Sequence, residues 1–109
     1  MPEQPTHPSL ERILREVARH TGVGIDAMVS RCPAGDRYRP GVRVARHVAF
    51  WAVRRASGGT IPHRTAASRL GRVFNASIRG VHAVETMRAC DPAVRTLTDA
   101  ILASLGERP

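Results

Sequence analysis

The stretch RTAASRLGRVFNASIRGVHAVETMR, Arg64 to Arg88, sets the strongest limit on what this chain can fold into. Ala66, Ala67, Leu70, Val73 and Phe74 recur at spacings of three and four, which makes one apolar face of a helix. The phase then breaks. Asn75 tolerates the left-handed conformation that ends helices and Ser77 is a good N-cap, so Phe74 to Ser77 is expected to be a tight corner. In the helix that follows, Gly80, Ala83, Val84 and Met87 share one side, while Arg79, His82 and Thr86 share the other. The small Gly80 and Ala83 would let this helix sit close against a neighbour. Two helices joined in this way are either a plain hairpin within a core or a helix-turn-helix, whose second helix enters the DNA major groove by its N-terminal end.

Charge favours the second reading. The chain has 109 residues, enough for one core but not for a core plus an elaborate active site, and a formal charge of +8. All 17 basic residues are arginine, the side chain that makes forked contacts to phosphate and to guanine. Twelve of them lie between Arg31 and Arg88, where only Asp36 and Glu85 oppose them, whereas the rest of the chain carries five arginines against seven acids. The excess positive charge therefore sits in the middle of the sequence, and a polyanion is the expected partner, with duplex nucleic acid ahead of a membrane surface. The four aromatic residues, Tyr38, Phe50, Trp51 and Phe74, are too few for the stacking platforms of single-strand binders.

The remaining elements follow in order. Met1 to Pro8, with three prolines, is expected to be a loose arm, and residues 9–109 the domain. Ser9 can cap a helix on which Leu10, Ile13, Leu14, Val17 and Ala18 form one face and Thr21-Gly22 the stop. Its Glu11/Arg15 and Arg12/Glu16 spacings predict a self-paired outer face. Val23, Ile25, Met28 and Val29 indicate a short helix ending near Ser30. RCPAGDRYRP, residues 31 to 40, reads as a basic loop that either lies against a DNA groove or is merely solvated. From Gly41 to Ser57 a longer helix carries Val42, Ala45, Val48, Ala49, Ala52 and Val53 inward, with Trp51 beside them in the core and Gly58-Gly59 as the end. Arg39, Arg43, Arg46 and His47 gather at its N-terminal half, where a docked phosphate would satisfy both the arginines and the helix dipole. Thr60 is a candidate cap for the first corner helix, with Pro62 in its first turn. Asp91-Pro92 starts a last amphipathic helix through Val94, Leu97, Ile101, Leu102 and Leu105. The fold class expected is all-α, of about five to six helices containing a helix-turn-helix.

Laid out in order, these blocks resemble the C-terminal DNA-binding domain, domain IV, of the bacterial replication initiator DnaA, a helical fold also similar to the Trp repressor. GVGIDAMVSR at 22 to 31 is similar to that family's short helix before its basic loop, and ARHVAFWAV within residues 37 to 53 to its ARQIAMYLA helix. LGRVFN at 70 to 75 resembles IGRAFGG, VHAVETM at 81 to 87 resembles LHAVRKI, and DPAVRTLTDAILASL fits the family's last helix. The family's Arg-Asp-His-Thr-Thr signature has no counterpart: Ala76-Ser77-Ile78-Arg79-Gly80 stands there, about two residues shorter, so the family's base-contacting residues do not carry over. The resemblance implies that Arg37 or Arg39 reaches a minor groove and that Arg46 and His47 meet the DNA backbone.

The expected function is sequence-specific binding of double-stranded DNA, first of all by a cytoplasmic, nucleoid-associated transcriptional regulator of phage or mobile-element origin. Asn75, Ser77, Ile78 and Arg79 would read bases, Arg79 by forking onto guanine, with His82 on the same outward side. Arg37, Arg39, Arg43, Arg46, His47 and Arg64 would hold phosphates or a minor groove. The alternatives are a replication-control factor on initiator-type sites and a protein–protein adaptor for RNA polymerase or the initiator. A monomer or weak dimer is expected. No GxxxxGK[ST] phosphate loop is present, the five histidines are dispersed, and no nucleophile arrangement is recognisable, so neither an enzyme nor a cofactor nor a metal is expected. Cys32 and Cys90 have no zinc-finger spacing and read as two reduced thiols or as one disulfide. No apolar run has membrane-spanning length, and the first residues lack the pattern of a signal peptide.

Overall fold

Ala45, Val48, Ala49, Phe50, Trp51, Ala52, Val53 and Ala56 are all buried, which leaves one helix apolar around most of its circumference. A helix of that kind has to be surrounded. In a computed structural model that describes residues 7–30 and 40–106, it is. This helix, α3 (Pro40–Ala56), touches each of the other five among the described residues: α1 (Leu10–Thr21), α2 (Ile25–Val29), α4 (His63–Arg69), α5 (Phe74–Cys90) and α6 (Pro92–Ser104). The fold is all-α with six helices and no strand among the described residues, as the periodicity indicates. The basic loop with Arg31, Arg37 and Arg39, and the N-terminal arm up to Thr6, lie outside the described residues.

Local signals place most helix ends. Ser9 accepts a hydrogen bond from the Arg12 amide at 3.2 Å and starts α1; Asp91 accepts one from the Ala93 amide at 2.9 Å and, with Pro92 in the first position, starts α6. Thr60 caps nothing: its hydroxyl donates to the Ser57 carbonyl, and Pro62 is itself the N-cap of α4. The outer face of α1 pairs differently from its i,i+4 spacing. Glu11 takes both ends of the Arg69 guanidinium at 2.7 and 2.9 Å, tying α1 to α4, and Glu16 pairs with Arg19 at 2.7 Å. Glu11 is thereby held below the usual carboxylate range, chiefly by the hydrogen bond from Arg69. A contact to another helix outcompeted the local one.

The corner between α4 and α5 sits earlier than Phe74 to Ser77. Helix α4 stops at Arg69 because Gly71 adopts φ +65°, and the amides of Gly71 and Arg72 turn back onto the carbonyls of Ser68 and Ala67 at 3.1 and 2.8 Å. Those two bonds are the Schellman closure, which favours glycine at the left-handed position. No non-glycine residue has positive φ among the described residues, so Asn75 plays no such part. Val73 is the extended N-cap and Phe74 the first residue of α5, which leaves Leu70 to Val73 as the whole turn. Leu70 remains in the core with Ala66 and Ala67, while Val73 and Phe74, read from their spacing as part of that apolar face, are 63% and 49% exposed.

Helix α5 packs most extensively on α3, and Gly80 is where they cross. A Cβ built on Gly80 would stand 2.9 Å from Phe50 Cδ2 and 3.4 Å from the His47 Cα, closer than packed atoms approach. Only a residue without a side chain fits there. Replacing a helical glycine by alanine gains about 1 kcal/mol of helix propensity, but overpacking a closed core costs roughly 1–3 kcal/mol. Phe50 is buried, and the His47 backbone behind it gives no ground, so the steric term should win. Gly80→Ala is expected to lower unfolding free energy by up to about 2 kcal/mol in a denaturant titration; a gain in stability would mean that α3 and α5 are further apart than described.

Candidate nucleic-acid interface

The exposed side of α5 is determined by what its buried side needs. Ser77, Gly80 and Val84 face inward, which turns Asn75, Arg79, His82 and Thr86 to solvent. Ile78 is half-buried on the flank. Ser77, assigned to base reading from sequence, is 1% exposed and its hydroxyl lies 2.8 Å from His63 Nδ1 on α4. It is neither an N-cap nor a residue that can touch a ligand; it is the pin between the two corner helices. His63 in turn stands edge-on to the Phe74 ring, with centroids 6.1 Å apart and planes at 89°. A Ser77–His63–Phe74 chain therefore fixes the attitude of the α5 tip. Burial, and then the nearby Arg54 charge, holds His63 below the usual histidine value, so the ring is neutral near pH 7.

Beside this tip lies a cleft of about 510 Å³ lined by Arg43, Arg46, His47 and Phe50 of α3, Arg72 of the turn, and Ala76, Arg79 and Ala83 of α5. Four arginines and a histidine surround it, and no carboxylate lines it. The small Ala76 and Ala83 on α5 leave room for it, because they keep the helix surface low next to α3. Burial, followed by the charges of Arg43, Arg46 and Arg79, holds His47 below its ordinary value. An anion entering the cleft would offset those neighbouring charges and favour the protonated ring.

The arginines of the cleft divide into floor and rim. Arg46, expected to meet DNA phosphates, is only 7% exposed, and its Nε donates to the Met28 carbonyl at 2.9 Å. Arg72 donates to the Val29 carbonyl at 3.2 Å and to the Ser30 carbonyl at 3.1 Å. The last carbonyls of a helix have no partner within it and carry partial negative charge. Two guanidinium groups thus clamp the end of α2, the segment that leads into the basic loop, and in doing so form the cationic floor. Arg46 belongs to the fold before it belongs to any ligand. Arg43 and Arg79 form the rim; both are exposed, and no described carboxylate pairs with either.

The central arginines do not all join this surface. Arg69 is committed to Glu11, and Arg88 to Asp99 at 2.8 Å while lying 4.8 Å over the Trp51 ring. Trp51 itself is core, 1% exposed, with its indole N–H donating to Glu85 at 3.0 Å. Arg54 and Arg55 line a separate cleft with Trp51, Val81 and Glu85, where the carboxylate reduces the positive field. Arg64 and His82 are exposed but line neither cleft. Val73, Phe74 and Arg72 went unassigned as site residues in the sequence; Gly71 after Leu70 was the signal that marked the turn and would have placed them.

Among the described residues no group of His, Cys, Asp and Glu is arranged to hold a metal ion, and no helix is long and apolar enough to cross a membrane. Cys90 is a free, exposed thiol, and Cys32 lies outside the described residues. Comparison of the chain with protein-family patterns, curated proteins and solved structures finds no match.

Floor and rim make different demands on mutation. Arg46→Ala removes a charge-assisted hydrogen bond and a buried side chain and should cost about 2–3 kcal/mol of stability, whereas Arg43→Ala should stay within ~0.5 kcal/mol. Thermal unfolding of the two variants side by side checks the division; equal losses would contradict it.

Proposed function

We propose that this protein binds double-stranded DNA sequence-specifically, with the α4–α5 corner acting as a helix-turn-helix whose α5 tip enters the major groove. The observation that carries the reading is a juxtaposition: a helix end with exposed Phe74, Asn75 and Arg79 stands beside a carboxylate-free cleft holding Arg43, Arg46, His47, Arg72 and Arg79. Duplex DNA presents the matching pattern, base edges in the groove and a line of phosphates at its lip. Arg43, His47 and the cleft floor would meet phosphates and set the register. Arg79, one helical turn beyond Asn75 on the same face, would reach guanine with its forked guanidinium, and Asn75 and Ile78 would contact neighbouring positions. Ser77 drops out of the base-reading set and acts through His63 instead.

Control of transcription is the role we propose for such binding, in a nucleoid-associated protein. Occupation of initiator-type sites is the second reading. It is favoured by the likeness of ARHVAFWAV, now within α3, and of the α6 sequence to the DNA-binding domain of DnaA. The motif enriched from a random duplex pool separates the two, since only the second requires resemblance to initiator sites.

Binding should be strongly salt-dependent, because each neutralised phosphate releases condensed counterions. Fluorescence anisotropy with a labelled duplex between ~50 and ~200 mM salt is expected to show a falling log affinity, with Arg43→Ala reducing the slope by about one. Arg79→Ala should cost roughly 1–3 kcal/mol on the selected sequence and much less on a random one. A wild-type protein that does not bind duplex DNA at low salt, or an Arg79→Ala variant with unchanged sequence preference, would overturn the proposal.

A further inference from the structure

Val73 and Phe74 are the two large hydrophobic side chains left substantially exposed among the described residues, and they are adjacent. Scattered single apolar residues on a surface need no explanation, but a pair concentrated at one helix tip does. The corner has no folding requirement for bulk at this point. Val73 is an N-cap without a capping side chain, where serine, threonine or aspartate would serve the helix better. Phe74 is nevertheless held in place: His63, anchored by its 2.8 Å bond to the Ser77 hydroxyl, meets the ring edge-to-face. An exposed aromatic ring with a fixed attitude is arranged for contact.

Resting on the duplex-DNA reading above, we infer that the α5 tip selects an A·T pair, with Phe74 packing on the thymine 5-methyl group beside Val73, and Asn75 pairing with adenine. In the major groove, thymine is the one base that displays a methyl group, and apolar side chains read it by contact. Adenine displays N7 as acceptor and N6 as donor, the complement of an asparagine carboxamide. Asn75 is exposed and immediately follows Phe74, about 100° further round the first turn of α5, so the two elements of an A·T reader sit side by side at the helix tip. Arg72, next to Val73 in the turn, and Arg79 on the exposed side of α5 both line the adjoining carboxylate-free cleft, which makes a polyanion the occupant that the surrounding charge fits, in preference to an apolar peptide or a second copy of this cationic chain. His63 is then a positioning residue: it touches no base and acts by orienting Phe74. Arg79, a turn further along, extends the reading to an adjacent G·C pair.

The test uses atomic substitutions in the DNA, which leave the protein untouched. A duplex is first selected from a random pool with the full-length chain; each thymine is then replaced singly by deoxyuridine, which lacks only the methyl, and each adenine by 7-deazaadenine, which lacks only N7. One deoxyuridine should weaken binding about fourfold, the change corresponding to one buried methyl group, and one 7-deazaadenine by roughly tenfold. Phe74→Ala should bind thymine and deoxyuridine duplexes alike, and Asn75→Ala should be equally blind to 7-deazaadenine. His63→Gln should lose most of the methyl discrimination while Arg79-dependent guanine preference persists, which a loss of folding would not produce. If wild-type affinity is unchanged by deoxyuridine at every thymine, or if Phe74→Ala keeps its sensitivity to the methyl, the inference is wrong while duplex binding stands. A dimer by sedimentation that Phe74→Ala converts to monomer would also overturn it, because the patch would then be a self-contact. Complete absence of salt-dependent duplex binding would remove the groove-docking proposal itself.

Discussion

The arrangement depends on one steric fact, the absence of a side chain at Gly80. Because nothing projects there, α5 lies against Phe50 and the backbone at His47, and α3 and α5 pack more extensively than any other pair of helices among the described residues. That close approach fixes which way α5 is rotated. With Gly80 and Val84 inward, Asn75 and Arg79 must point outward, and Ala76 and Ala83 must border the cleft that Arg43 and His47 complete from α3. A larger residue at that position would push the helices apart and reshape the cleft between them. Site and fold are in this sense a single packing solution.

A second consequence concerns how this protein uses arginine. A chain without lysine has to use the guanidinium group for every cationic task, and the structure separates those tasks. Arg46 and Arg72 cap the carbonyls of α2, Arg69 joins α4 to α1, and Arg88 bridges Trp51 and Asp99. A planar fork with five donors suits such work better than an ammonium. Arg43 and Arg79 stay exposed. The positive potential of the cleft thus rests on hydrogen-bonded charges below and exposed ones above, and the hydrogen-bonded ones are already ordered before an anion arrives.

Much of this was legible in the sequence where local signals acted alone. Ser9, Asp91-Pro92 and the apolar stripe of Val42, Ala45, Val48, Ala49, Ala52 and Val53 defined their helices, and the small Gly80 was recognisable as a point of close helix contact. The corner was misplaced because two turn signals competed. Asn75 and Ser77 look like a stop and a start, yet Gly71 ends α4 first, since a glycine closes a Schellman turn without the strain an asparagine pays. Shifting the turn by a few residues moves Val73 and Phe74 from core to surface and Ser77 from surface to core. The fate of each arginine was not legible, because periodicity tells which side of a helix a residue is on but not whether a carbonyl or carboxylate from a distant segment waits there. Arg46 and Glu11 show this most plainly, their partners lying 18 and 58 positions away.

The claim at the centre of the account is that the α5 tip and the Arg43–His47 rim act together as one DNA-facing surface. Backbone amide shifts recorded by NMR during titration with the selected duplex test this most directly, because they map contact onto every helix at once. The account predicts that the largest changes fall on Val73 to Arg79 and on Arg43 to His47, with α1 and the C-terminal half of α6 unmoved. Changes centred instead on Arg54 to Gly59, or spread evenly over all six helices, would contradict it.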